Sequence, residues 1–174
     1  MEGLMNMAMA MAPAPEAAPS IPVMAEPRLE TARCLVQCAA FAKELETQSH
    51  LIHLNYEGSN FLSVHDYLKG QYEAHLEQFD ALAEFVRSMD YLMPLCACGL
   101  KDAVEGFENV ADRDGRQMLM TYCQNLCQMA CMGKALEQCS GAAGEVDVQN
   151  YAAELVAASN KAAWFVKSIL RGCH

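Results

Sequence analysis

Two histidines and two carboxylates carry the chemistry that this sequence offers: His53, His65, Asp80 and Glu84. All four are potential metal ligands. Asp80 and Glu84 stand four residues apart, so on a helix both carboxylates project from one face. His65 precedes Asp80 by fifteen residues, which on one helix separates them by about 22 Å at the helical rise. No single ion spans that distance. Either the four do not form one site, or an antiparallel second copy of the chain brings its Asp80 and Glu84 to His53 and His65. A two-fold dimer does this naturally, because its interface repeats every contact. The Glu-x-x-His pairs that hold two metals in the core of other four-helix bundles do not occur: the residues three before His50, His53, His65, His75 and His174 are Thr47, His50, Leu62, Tyr72 and Arg171.

The elements that must position these residues are helices. Apolar residues Leu35, Ala39, Ala42 and Leu45 recur at helical spacing and predict a first helix from Leu29 to Leu54. A turn follows at Tyr56-Glu57-Gly58-Ser59-Asn60, and a second helix is expected from Phe61 to Asp90. Pro94 and Gly99 mark a connection with a short helix expected at Leu100–Asn109. The carboxylates of Asp112 and Asp114 suit the start of a third helix, which is expected to end near Cys139 before the Ser140–Gly144 break. Its apolar stripe is Leu119, Tyr122, Leu126 and Ala130. A fourth runs from Val146 to Leu170, with Tyr151, Leu155, Ala158, Ala162, Phe165 and Ile169 as its stripe. Such a set makes an all-α four-helix bundle. The connection between the second and third long helices exceeds the 2 to 8 residues of a bundle hairpin. It is long enough to cross the bundle and make those helices parallel, which is the ferritin-like arrangement.

Whole-chain properties narrow the function. The 174 residues, 53% hydrophobic, fit one domain with a real core. A net charge of −10 and a pI near 4.8 oppose general affinity for nucleic acid, which depends on Lys and Arg. Residues 1–27 read as a flexible tail rich in Met, Ala and Pro, and residues 28–174 as the bundle domain. The first 26 residues hold no Lys or Arg, so the basic region of a secretory signal is missing. No stretch is apolar enough to span a membrane. Nine cysteines, an odd number at helical spacings, suit a reducing cytoplasm better than a disulfide scaffold.

The stretch from His53 through Asn55, Gly58, Asn60 and Phe61 to His65, followed by Asp80 and Glu84, resembles the Dps miniferritins. Gln71-Tyr72-Glu73 and Ala163-Trp164-Phe165 extend the resemblance, which covers roughly residues 30 to 172. It implies a homo-oligomeric dodecamer, a hollow shell built from two-fold dimers, with ferroxidase sites at the dimer interfaces and no catalytic group beyond the metal ligands. Iron(II) would bind there, be oxidised by peroxide, and be stored inside as ferric mineral, protecting against oxidative stress. Mixed imidazole and carboxylate ligation suits iron. Two departures stand out. The acidic ligand usual four residues after the second histidine is Lys69, and the Trp usual after the first is Leu54. A protonated ammonium cannot coordinate a metal. The alternative reading is therefore a ferritin-like shell with a degraded ferroxidase site, binding soft metals through cysteines or mainly structural. The tail also lacks the lysines with which DNA-binding members hold DNA, so no DNA binding is expected.

Further candidates are read from spacing. Cys123, Cys127 and Cys131 recur every four residues, and Cys34 and Cys38 form a similar pair. They are either small core hydrophobes or a thiolate track for a soft ion such as Cu(I) or Zn(II), with Met118, Met120, Met129 and Met132 nearby. Glu145, Asp147 and Glu154 are candidates for an acidic pore, or else ordinary solvated acids. His50 and His75 read as ordinary, partly exposed residues. The six methionines of the tail are either sacrificial oxidation targets or compositional.

Overall fold

In a computed structural model, residues 26–58 and 60–172 are described. The expectations placed on residues 1–25, Ser59, Cys173 and His174 lie outside them. The helices are α1 (Glu26–Asn55), α2 (Phe61–Ser88), α3 (Ala97–Asp102), α4 (Gly115–Ala143) and α5 (Val146–Gly172). No strand occurs among the described residues.

Helix α1 starts three residues earlier than predicted. Pro27 sits in the first turn, where no backbone N–H is needed, and the Thr31 hydroxyl donates to the Pro27 carbonyl at 2.9 Å. The start of α4 follows the prediction closely, because the Asp114 carboxylate accepts the Gln117 N–H at 2.8 Å. Its end does not. The helix continues through Ser140, whose hydroxyl bonds back to the Leu136 carbonyl at 2.7 Å. It stops at Gly144, which takes the left-handed conformation at φ 75° that glycine tolerates best. The short helix lies upstream of the predicted Leu100–Asn109. Cys96 caps it by accepting the Gly99 N–H, and the chain turns away at Gly106, φ 68°.

The core is built from Leu35, Phe41, Leu45, Leu82, Tyr122 and Leu126, among others, all fully buried. Each such side chain contributes about 1.5–3 kcal/mol of transfer free energy. The predicted stripes of α1 and α4 are buried, but α5 is rotated from its prediction. Val148, Ala152, Leu155, Ser159, Ala162, Ala163 and Val166 face inward, while Ala158 is exposed and Phe165 lies at the surface edge.

Cross-helix pairs give the topology. His53 lies by His65, Cys34 by Cys139 and Gln149 by Glu137, so α1 runs antiparallel to both α2 and α4, and α4 antiparallel to α5. Consequently α2 and α4 are parallel, as predicted, and sit diagonally across the bundle. The crossover is pinned where Asn125 brackets the Glu108 backbone, accepting its N–H at 2.9 Å and donating to its carbonyl at 2.8 Å. Gln48 donates to that same carbonyl. Cys96 and Cys98 within the crossover are disulfide-bonded, whereas the other six described cysteines are free thiols. Among the described residues no helix is long and apolar enough to cross a membrane.

Candidate metal centre

The tight turn after α1 returns the chain antiparallel, so the last turn of α1 faces the first turns of α2. This places His53 on His65, with rings stacked at 3.6 Å between centroids and 22° apart. Each ring also reaches the other's backbone. His53 Nδ1 donates to the His65 carbonyl at 2.8 Å, and His65 Nδ1 donates to the His53 carbonyl at 3.1 Å. A carbonyl only accepts, so both Nδ1 atoms carry the proton when the rings are neutral, leaving both Nε2 lone pairs free for a metal. Backbone anchoring of this kind fixes the orientation of a histidine ring.

An aromatic column supports the pair. Phe61 lies against His65 at 5.1 Å, and Tyr72 meets His53 edge-on at 5.5 Å. His50 stacks on Tyr72 at 4.2 Å and also meets His53 edge-on at 6.0 Å. Leu54 is exposed and forms no wall over the site. Tyr72 and His50 are therefore the side chains that brace His53.

Asp80 and Glu84 are exposed near the other end of the same unbroken α2. The separation of about 22 Å from His65 thus holds within one chain. Among the described residues no group of three or more His, Cys, Asp and Glu side chains could hold a metal ion. One chain brings the histidines together and leaves the carboxylates apart from them. Lys69 is exposed one turn beyond His65. Around the histidines, Leu51, Leu54, Phe61 and Leu62 are exposed, Leu62 at 73%.

The remaining candidates separate. Glu145 is tied by a 2.8 Å ion pair to Arg28, whereas Asp147 and Glu154 are exposed on α5. Cys123 is buried, Cys127 half-buried and Cys131 exposed along one groove between α4 and α5. His75 corrects its prediction. It is buried, with its Nε2 2.8 Å from the Tyr122 hydroxyl and its Nδ1 2.9 Å from Gln78 Oε1. Burial pushes its pKa down to about 4, against a weaker upward pull from Gln78 and Glu46. The sequence did hold the signal: His75 stands seven residues from both Leu68 and Leu82, so it falls on the same inward stripe.

Comparison with known proteins bears on this bundle directly. The ferritin-like domain model matches residues 39–173. The chain belongs to the ferritin-like family. Its fold is similar to that of a Dps protein from Bacillus brevis (TM-score 0.80, 18% identity, 85% of this chain and 99% of that one). It is likewise similar to Dps from Thermosynechococcus elongatus (0.79, 17% identity, 83% and 92%). A third is a Vibrio cholerae Dps described as belonging to a broad superfamily of ferritin-like diiron-carboxylate proteins (0.77, 17% identity, 83% and 91%). No curated protein matches the sequence. At such identities the likeness is one of fold. This ferritin-like bundle has its candidate ligands at the α1–α2 turn and near the other end of α2, and they do not converge within one chain.

Proposed function

We propose that this ferritin-like protein is a miniferritin: it binds iron(II) at sites shared by two subunits, oxidises it with hydrogen peroxide, and stores ferric iron inside a dodecameric shell. Iron is the substrate and cargo. The observation that carries the reading is the reciprocal backbone anchoring of His53 and His65, which frees two Nε2 atoms for a metal. Asp80 and Glu84 of the partner subunit supply the oxygen donors. The exposed Leu51, Leu54, Phe61 and Leu62 surrounding the histidines form the apolar patch that such a subunit contact would cover. Asp147 and Glu154 serve as the acidic entry, with Glu145 held aside by Arg28. The acidic chain works in the cytoplasm without binding DNA.

The test adds iron(II) and peroxide anaerobically to the purified protein and counts iron retained per assembly, whose mass is read by light scattering. The expected result is a shell-sized particle that retains far more iron than its ligand sites could hold. Retention of only a few iron atoms per subunit would sink the storage reading. A mass near one subunit would remove the shared site altogether.

A further inference from the structure

The groove between α4 and α5 holds chemistry that the iron reading does not use. About 380 Å³ in volume, it is lined by Met120, Cys123, Cys127, Cys131, Lys167 and Leu170, among others. Packing accounts for Cys123, which is 6% exposed. It does not account for Cys127 and Cys131, which are half-buried and exposed.

We propose that Cys123 and Cys127, with the Met120 thioether beside them, form a binding site for the soft monovalent cation Cu(I), which enters by way of Cys131. The three thiols follow each other at one helical turn, about 6 Å of rise per step. They cannot all meet on one ion, but neighbouring pairs can. That geometry disfavours Zn(II), which takes four ligands, and suits Cu(I), which soft thiolate and thioether sulfurs select. Cys123 and Cys127 line the same groove one helical turn apart. Met120 lies three residues before Cys123, on the same helical face.

Charge completes the site. Binding follows Cu⁺ + 2 RSH → [Cu(SR)₂]⁻ + 2 H⁺, with no change of oxidation state, and leaves a net negative complex. Lys167 reaches across from α5, its Nζ 3.6 Å from Cys127 Sγ, where it offsets that charge. The Cys123 thiol points at the Ala163 carbonyl at 3.8 Å, which holds its sulfur toward α5. Exposure falls in order from Cys131 through Cys127 to Cys123. An ion can therefore pass from the Cys131/Cys127 pair to the Cys127/Cys123 pair and remain bound by two sulfurs at each end of the step.

The other thiols of the chain are less suited. Cys34 and Cys139 lie with sulfurs 3.4 Å apart between α1 and α4. Burial pushes both Cys34 and its neighbour Cys38 up to about 12; burial raises Cys123 as well, but there the Lys167 ammonium pulls the other way. Cys96 and Cys98 are bonded to each other.

The experiment titrates the reduced full-length assembly with Cu(I) anaerobically against a chromophoric Cu(I) chelator, then labels the thiols with iodoacetamide and maps them by mass spectrometry. At one equivalent per chain, Cys123 and Cys127 become shielded from alkylation. The Cys127→Ser variant loses one tightly held Cu(I) per chain, while its iron oxidation stays at the parent rate. Cys131→Ser keeps that ion but loads it more slowly. Lys167→Met weakens the site by about 10-fold, as loss of an outer-sphere partner does. Equal alkylation of Cys127 with and without Cu(I) would overturn the proposal, as would an unchanged Cu(I) count in Cys127→Ser. The shielding measurement needs no variant, and it reads the thiols whether or not the protein stores iron.

Discussion

His53 and His65 hold each other's backbone: each Nδ1 donates to the other's carbonyl, at 2.8 and 3.1 Å, across the turn that joins α1 to α2. The contact both closes the hairpin and presents two Nε2 atoms side by side. The carboxylates that would complete the metal's coordination stand at the far end of α2.

That separation makes a complementation test decisive. A His53→Ala/His65→Ala chain and an Asp80→Ala/Glu84→Ala chain should each oxidise iron at no more than background rate. Unfolded together and co-assembled at equal amounts, they should regain about a quarter of the parent rate, because random pairing in a two-fold interface gives one intact site in four. Stopped-flow absorbance of ferric product measures it. No recovery in a mixture shown to co-assemble would place the four residues in separate roles.

Lys69 tests how much charge the site tolerates. Lys69→Asp restores a carboxylate one turn from His65, and its initial rate of iron oxidation should rise roughly 10-fold or more, since a ligand oxygen replaces an ammonium that repels the cation. A rate equal to the parent's would show that Lys69 lies outside the metal's reach.

His75 makes stability depend on pH in a specific window. Its folded-state pKa of about 4 lies below the ordinary histidine value of 6.5. Between those values the unfolded chain binds a proton that the folded chain refuses. The His75 contribution is therefore fully present above pH 6.5 and is lost as pH falls toward 4, by up to about 3 kcal/mol. His75→Gln should flatten the dependence of the urea midpoint on pH within that window. A parallel slope in both proteins would show that other groups govern it.

Tyr122 closes the same network. Tyr122→Phe strips the hydroxyl from His75 Nε2 and from Gln71, which lies 3.3 Å away. Leaving a buried acceptor unpaired costs about 1–3 kcal/mol, read as a lower urea midpoint at pH 7. The midpoint should hold if water replaces the hydroxyl.

The approach of α4 to α5 is tight at Gly133, where an added Cβ would stand 2.8 Å from Val156 Cγ2. Gly133→Ala should lower the thermal midpoint, with an overpacking cost of about 1–3 kcal/mol. The double variant Gly133→Ala/Val156→Ala should recover much of the loss; equal midpoints for the single variant and the parent would mean that the helices part freely.

Local signals determined a good deal by themselves. Helical periodicity and Asp114 as a cap placed the long helices and the start of α4, because those effects act within a turn or two of chain, while of the expected Ser140–Gly144 break only Gly144 ends the helix. The fifteen-residue interval from His65 to Asp80 excluded a one-chain site, since helical rise converts sequence separation into distance. The turn motif from His53 to Phe61 pointed to the ferritin-like bundle that the family match then established. Other features needed the tertiary structure. Cys96 as a cap moved α3 upstream, because a sulfur's aim toward one N–H is not written in composition. The rotation of α5 was decided by α4, whose Gly133 lets Val156 approach. The burial of His75 was set by Tyr122, which stands 47 residues away in sequence and 2.8 Å away in space. Spacing in the sequence named the four candidate ligands, while only packing between helices fixed which nitrogen of each histidine is free, because that depends on a carbonyl supplied by the facing helix of the hairpin.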